Sequence, residues 1–186
     1  GGKELRAARL MNLFGAGIEH TVVSGVPGEL GAAKAVDPAV TVSYPDDFPP
    51  LSGRPLPARL LRLARAMRGF DLVLTYNWGA MDAVMAHRLF ARALNLPPLV
   101  HHEDGFNRDE AERLSPLRNL YRRLAMAGAA ALVVPSRRLE AIALEAWHLP
   151  PARVRRIANG IALDRYAAAA RGDALAGLVK QPGELW

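Results

Sequence analysis

The stretch "DLVLTYNWGAMDAVMAHRLFARALNLPPLVHH", residues 71 to 102, holds two short apolar runs on either side of one long helical pattern. The outer runs "DLVLTY" (71 to 76) and "PLVHH" (98 to 102) are rich in β-branched and apolar residues and bounded by Asp or Pro. They read as strands. The segment between them, "GAMDAVMAHRLFARALN" (79 to 95), is apolar nearly all round and reads as a well-buried helix. A strand, a helix and a second strand in this spacing form a βαβ unit, which requires a parallel pair.

The same alternation extends in both directions. "HTVVS" (20 to 24), "VTVS" (40 to 43) and "ALVVP" (131 to 135) read as further strands, and "RVRRI" (153 to 157) as a weaker sixth. Their apolar content is continuous rather than alternating, as expected of parallel strands covered by helices on both faces. Helix ends are legible as well. In "SPLRNLYRRLAMAG" Ser115 caps, Pro116 fits the first helical position, Leu117, Leu120, Tyr121 and Leu124 form the apolar face, and Gly128 stops the helix. Ser136 caps "SRRLEAIALEAW", which ends before Pro150 and Pro151. "YPDDFPPLSGRPLP" (44 to 57) reads as a long surface loop. The fold class is therefore α/β, a doubly wound, mostly parallel, Rossmann-like sheet.

Composition narrows the function classes. With 186 residues the chain suits one α/β domain. Hydrophobic residues at 51% and charged residues at 23%, with no long apolar run, give a soluble globular domain without a spanning helix. The absence of Cys excludes disulfides, thiolate nucleophiles and Cys-based zinc sites. Nothing at the start reads as an export signal, so a cytoplasmic location is expected. The net charge of +6 is carried almost entirely by Arg. An Arg-rich composition explains it without a partner, so clustering is the better guide. One cluster stands out: in "PARLLRLARAMRG" Leu60, Leu63, Ala64 and Met67 share a face, while Arg59, Arg62, Arg65 and Arg68 fan over the other. That face is either a solvated surface or a contact for anionic lipid at the inner face of a membrane. No aromatic residues interleave with these arginines, so nucleic acid is not an expected partner.

In a doubly wound fold ligands bind beyond the carboxyl ends of the strands. That rule selects "YNWGA" (76 to 80), "HHEDGFNRDE" (101 to 110) and "PSRR" (135 to 138). The densest cluster follows a strand directly, so strand parity puts His101 and Glu103 on one side and His102 on the other until the strand ends. A His near a carboxylate can carry a proton or orient a substrate hydroxyl. The plainer alternative is a polar loop whose carboxylates cap the next helix. Two ligands at this spacing without a distant third do not make a metal site. Gly1 and Gly2, entering a helix, could present N–H groups to an anion. Asn77 and Trp78 are candidates for the cleft wall, and Ser136 is a cap with room for a substrate contact. His20, His87 and His148 receive no role.

Taken together, "GGKELRAARLMN", "VLTYNWGAMDAVMA", "VHHEDGFNRDE", "LVVPSRRL" and "RRIANGIALDRY" resemble the N-terminal domain of family 4 glycosyltransferases, which have the GT-B fold of two facing Rossmann-like domains. The resemblance covers about residues 1 to 166. It implies transfer of a hexose from a nucleotide sugar to a hydroxyl acceptor, saccharide or lipid-linked, with retention at the anomeric carbon and no required metal or other cofactor. It implies polysaccharide or glycan biosynthesis as the setting. By resemblance Gly1 and Gly2 match the loop that approaches the donor diphosphate, His101 and Glu103 match polar positions near the transferred sugar, and Ser136 opens the last large helix; His101 and Glu103 are thus the catalytic candidates, and His102, Asp104, Asn77, Trp78 and Ser136 the substrate-binding ones. The doubled pattern His101, His102, Glu103, Asp104 lets either histidine face the cleft. Residues 167 to 186 are expected to lead toward a second, nucleotide-binding domain, without which this chain would be inactive. The family's first strand precedes the Gly-Gly loop, so strands 20 to 24 and 71 to 76 are expected either to flank a gap or to pair directly. A non-catalytic ligand-binding or regulatory module is the alternative, since fold alone does not fix function.

Overall fold

The computed structural model describes residues 2–26, 28, 30–106, 110 and 113–160. Among these residues there are six strands, β1 (His20–Thr21), β2 (Val42–Ser43), β3 (Val73–Tyr76), β4 (Leu99–His102), β5 (Ala131–Val134) and β6 (Val154–Arg156). The α-helices among them are α1 (Gly2–Phe14), α2 (Pro57–Ala66), α3 (Met81–Leu94), α4 (Pro116–Met126) and α5 (Arg137–Glu145), which alternate with the strands except between β1 and β2, where a 3₁₀ turn (Ala33–Ala35) stands instead. Every strand pair is parallel, so the chain is a Rossmann-like α/β domain. Among the described residues no helix is long and apolar enough to cross a membrane.

The strands fall into two sheets. β3-β4-β5-β6 form one in sequence order, and β1-β2 form the other. Residues 20 to 24 and 71 to 76 therefore do not pair, and residues 2 to 17 are helical, so they supply no strand between the two sheets. Because β3 to β6 follow one another in a single direction, right-handed crossovers put α3, α4 and α5 on the same face. α2 packs against α3, and α3 against α4.

Burial follows position in the sheet. β4 and β5, flanked on both sides, are almost wholly buried, whereas β1, β2 and β6 are partly exposed. The expectation of uniformly buried strands thus holds only at the centre. β6 is an edge strand, and its exposed Arg155 and Arg156 keep that edge from pairing with another chain. The proline segment 44 to 56 has neither helix nor strand, but Phe48 and Leu51 are drawn in against the core.

The helix caps form as the sequence dictates. Ser115 Oγ accepts from the Arg118 amide at 3.4 Å, and Ser136 Oγ from the Leu139 amide at 3.2 Å. α2 buries Leu60, Leu63 and Ala64, and Met67 just beyond its end is buried with them, as the periodicity requires. Arg59 departs from the expected solvent-facing fan: its guanidinium turns inward to donate to Asp82 Oδ2 at 2.6 Å and to the Pro50 carbonyl at 2.9 Å. The inward face of α4 also differs from its hydropathy pattern. Leu117, Leu120 and Leu124 are 76%, 51% and 53% exposed, while Arg122, Ala125 and Met126 are buried. The interior at this point carries a charge partner and three aromatic rings, and these take the arginine in preference to the leucines.

α3 and the end of α4 approach closely at Gly128, where an added Cβ would lie 2.7 Å from Arg88 Cδ and 3.4 Å from Arg88 Cα. Gly128→Ala should therefore lower stability by about 1–3 kcal/mol in urea unfolding. Adding Arg88→Ala, which removes the nearest atom, should recover most of that loss.

Candidate active site

At the carboxyl ends of β3 and β4 the backbone is tied together by Asn77. Its φ of 54° and ψ of −172° lie in a region that side-chain-bearing residues rarely adopt, at a cost of about 1–3 kcal/mol. Two hydrogen bonds hold it there. The Asn77 amide donates to the His102 carbonyl at 2.8 Å, and Asn77 Oδ1 accepts from the Asp104 amide at 2.7 Å. The chain leaving β4 is thereby clamped to the turn leaving β3.

Strand parity then separates His101 and Glu103 from His102 as expected, and Asp104 falls on the side of His102. On the helix-covered face, His101 and Glu103 are fully buried. His101 Nδ1 shares a hydrogen bond with Thr75 Oγ1 at 2.9 Å, and its Nε2 lies 3.9 Å from Glu103 Oε2. Neither Glu103 oxygen makes a hydrogen bond among the described residues; the charge of Glu103 is instead met by Arg122 Nε at 3.7 Å. Arg122 is itself fully buried. It donates Nη1 to Glu110 Oε1 at 3.0 Å and Nη2 to Glu110 Oε2 at 2.7 Å. Its guanidinium also lies 4.9 Å from the centre of the Trp78 ring, 5.1 Å from Phe106 and 5.6 Å from Trp147. The bidentate Arg122 pairing comes first among the causes that hold the Glu110 carboxyl down at about 2, with help from Arg118 and the Ser115 amide.

On the opposite face, Arg6 of α1 pairs with Asp104 and lies 3.4 Å from His102 Nδ1. An arginine has only N–H groups to offer, so His102 Nδ1 is the acceptor and the neutral ring carries its proton on Nε2. The ring stacks on Tyr76 at 4.7 Å. Burial, then the Arg6 charge, then His101 push the His102 imidazole down to about 4, so it is neutral near pH 7. Burial also raises the Tyr76 hydroxyl.

The remaining candidates separate by position. Trp78 occupies a short turn beside Asn77 and stacks under Arg118 and Arg122. Ser136 is half-buried and occupied as a cap. Gly2 opens α1, one turn before Arg6, and Gly1 lies outside the described residues, as do 161 to 186, which include most of the stretch expected to lead away from the domain. His87, given no role, is buried with its Nε2 hydrogen-bonded to the Pro97 carbonyl at 2.8 Å.

Sequence reasoning missed Arg6, Arg122, Glu110 and Trp147. A signal for Arg122 did exist: Arg122 and Ala125 share the α4 flank on which a small residue allows close packing. Trp147 offered none, since its indole is fixed by Asn119 Oδ1 at 3.0 Å, 28 residues away.

Among known families, the one described as Glycosyltransferase Family 4 matches residues 1–165. The chain belongs to glycosyltransferase family 4. No curated protein matches it as a relative. Membership makes the domain part of a glycosyltransferase, with a sugar donor and an acceptor as its substrates.

Two measurements check the electrostatics. Glu110→Gln leaves Arg122 with Glu103 alone, and should cost about 3 kcal/mol of unfolding free energy. The wild-type contribution of Glu110 is present above pH ~4.5 and lost as pH falls toward ~2. His102 acts in a higher window. Its folded value of about 4 lies below the ordinary 6.5, so the unfolded chain binds the proton first and stability declines as pH drops from about 6.5 to about 4. In His102→Gln, denaturation followed across that window should show a flatter slope.

Proposed function

We propose that this domain forms the acceptor-side wall of a retaining hexosyltransferase, with His102, Asp104, Asn77 and Arg6 facing the substrates and His101 and Glu103 holding them from behind. A second α/β domain of the family's type would supply the nucleotide site, and this chain alone would then turn over no donor. The observation that carries the reading is the convergence of three elements at one strand edge: Arg6 from α1, Asn77 from the end of β3, and His102 with Asp104 from the end of β4. In a doubly wound domain that edge is where ligands bind.

The chemistry follows from the side chains. The bond from the anomeric carbon to the donor diphosphate breaks, the bond to the acceptor oxygen forms, and the acceptor proton leaves with the diphosphate. Negative charge grows on the leaving group, and Arg6, one turn inside α1, stands where positive charge and the helix N-terminus act together. The neutral His102 offers its Nε2–H to a sugar hydroxyl, and Asp104 accepts from another. His101 and Glu103 have no exposure against 7% for His102, which favours a positioning role for the buried pair and substrate contact for His102. Trp78 and Ser136 contribute to the wall, and Gly1 and Gly2 to the diphosphate approach. The reaction as read calls on no metal.

Transfer assays on the enzyme carrying both domains, with nucleotide-hexose donors and hydroxyl acceptors, test this reading. His102→Ala should lower kcat by roughly 10²-fold with the fold intact, whereas His101→Ala should act mainly through stability. Wild-type turnover in a folded His102→Ala protein would remove His102 from the site.

A further inference from the structure

Behind the end of β4, on its helix-covered face, four buried polar atoms lie together without a hydrogen-bond partner among the described residues: His101 Nε2, both carboxylate oxygens of Glu103 and Arg122 Nε. All three residues are fully buried. Buried polar groups in folded chains are paired, with protein or with ordered water, because an unpaired one keeps the full cost of leaving solvent. The atoms are close without touching. Glu103 Oε2 lies 3.9 Å from His101 Nε2 and 3.7 Å from Arg122 Nε. Both separations exceed the ~3.2 Å limit of a direct N–H···O hydrogen bond, yet one small molecule can bond to both ends of either. Nor can the side chains close the gap cheaply. The His101 ring is tied through Nδ1 to Thr75 Oγ1 at 2.9 Å, and the Arg122 guanidinium is tied through Nη1 and Nη2 to Glu110 at 3.0 and 2.7 Å. A swing of either toward Glu103 gives up a bond already made.

We infer that this gap is the binding site of a single structural water molecule. The water accepts from the His101 Nε2–H and the Arg122 Nε–H with its two lone pairs and donates to the Glu103 carboxylate, a three-bond pattern usual for buried water. The donor set selects this occupant. A cation there would sit against the Arg122 Nε–H and an anion against the Glu103 carboxylate, whereas a molecule that both accepts and donates satisfies all three residues. The same assignment fixes the histidine: Nε2 carries the proton, and Nδ1 accepts from the Thr75 hydroxyl. His101, Glu103 and Arg122 then form one connected network in place of three neighbours, and it ties Thr75 of β3 and the end of β4 to α4. The inference does not depend on the sugar-transfer reading.

Two measurements on the 186-residue chain test the inference. A high-resolution crystal structure should show one solvent peak within hydrogen-bond distance of His101 Nε2, Arg122 Nε and a Glu103 oxygen. In solution, long-range proton–nitrogen correlation spectra should give His101 the Nε2–H tautomer, and a nuclear Overhauser cross-peak should join its ring to a water that stays far longer than surface solvent. Thr75→Val combined with His101→Phe removes the ring nitrogens without stranding the threonine hydroxyl, and in that protein both the solvent peak and the cross-peak should be lost. The wild-type observations stand as the test whether or not the double variant folds. A direct His101–Glu103 contact of hydrogen-bond length, a gap without solvent density, or the Nδ1–H tautomer would overturn the inference. So would a solvent peak that persists unchanged in the folded double variant.

Discussion

The burial of Arg122 is the constraint on which the rest of this domain depends. A guanidinium removed from water must be matched in charge and in hydrogen bonds, or it costs several kcal/mol. Here Glu110 takes both terminal nitrogens, Glu103 stands beside Nε, and Trp78, Phe106 and Trp147 present their rings. These partners come from the turn after β3, the segment after β4 and the chain after α5. One cation therefore fixes the relative position of segments far apart in sequence. It also decides the orientation of α4, because a helix that turns Arg122 inward must turn its leucines out.

That orientation ties stability to the placement of the site. Glu103 sits at the end of β4 with its carboxylate toward Arg122, so His102 and Asp104 on either side of it in sequence must project the other way. The imidazole and carboxylate that meet Arg6 are held in place by a charge on the far side of the sheet. The strained Asn77 completes the arrangement from the backbone side. The two faces of β4 thus divide the work, one anchoring and one open to α1.

Much of this was legible in the sequence, for identifiable reasons. Strands β3, β4 and β5 announce themselves as apolar runs between breakers, and Ser115 and Ser136 cap as local chemistry demands. The separation of His101 and Glu103 from His102 needs only the two-residue period of a strand. The inward face of α4 was not legible, because hydropathy assigns leucine to the core and arginine to solvent unless the partner is known. Glu110 precedes Arg122 by 12 residues, but nothing local says that its carboxylate meets that arginine and not the neighbouring Arg123. Arg6 was equally hidden: its partner Asp104 is 98 residues away.

The division into two sheets has a consequence for how firmly the two sides of the site are held. His102 and Asp104 follow a central strand of the four-stranded sheet, hydrogen-bonded on both flanks. Arg6 rides on α1, whose main neighbours are a short 3₁₀ turn and whose chain leads into the two-residue strand pairing of β1 with β2. Amide hydrogens of β1 and β2 should accordingly exchange well before those of β4 and β5. An excursion that lifts α1 while the larger sheet stays closed separates Arg6 from Asp104 and removes one of the charges that suppress protonation of His102. The proton affinity of that imidazole is thus coupled to whether α1 stays seated beside it.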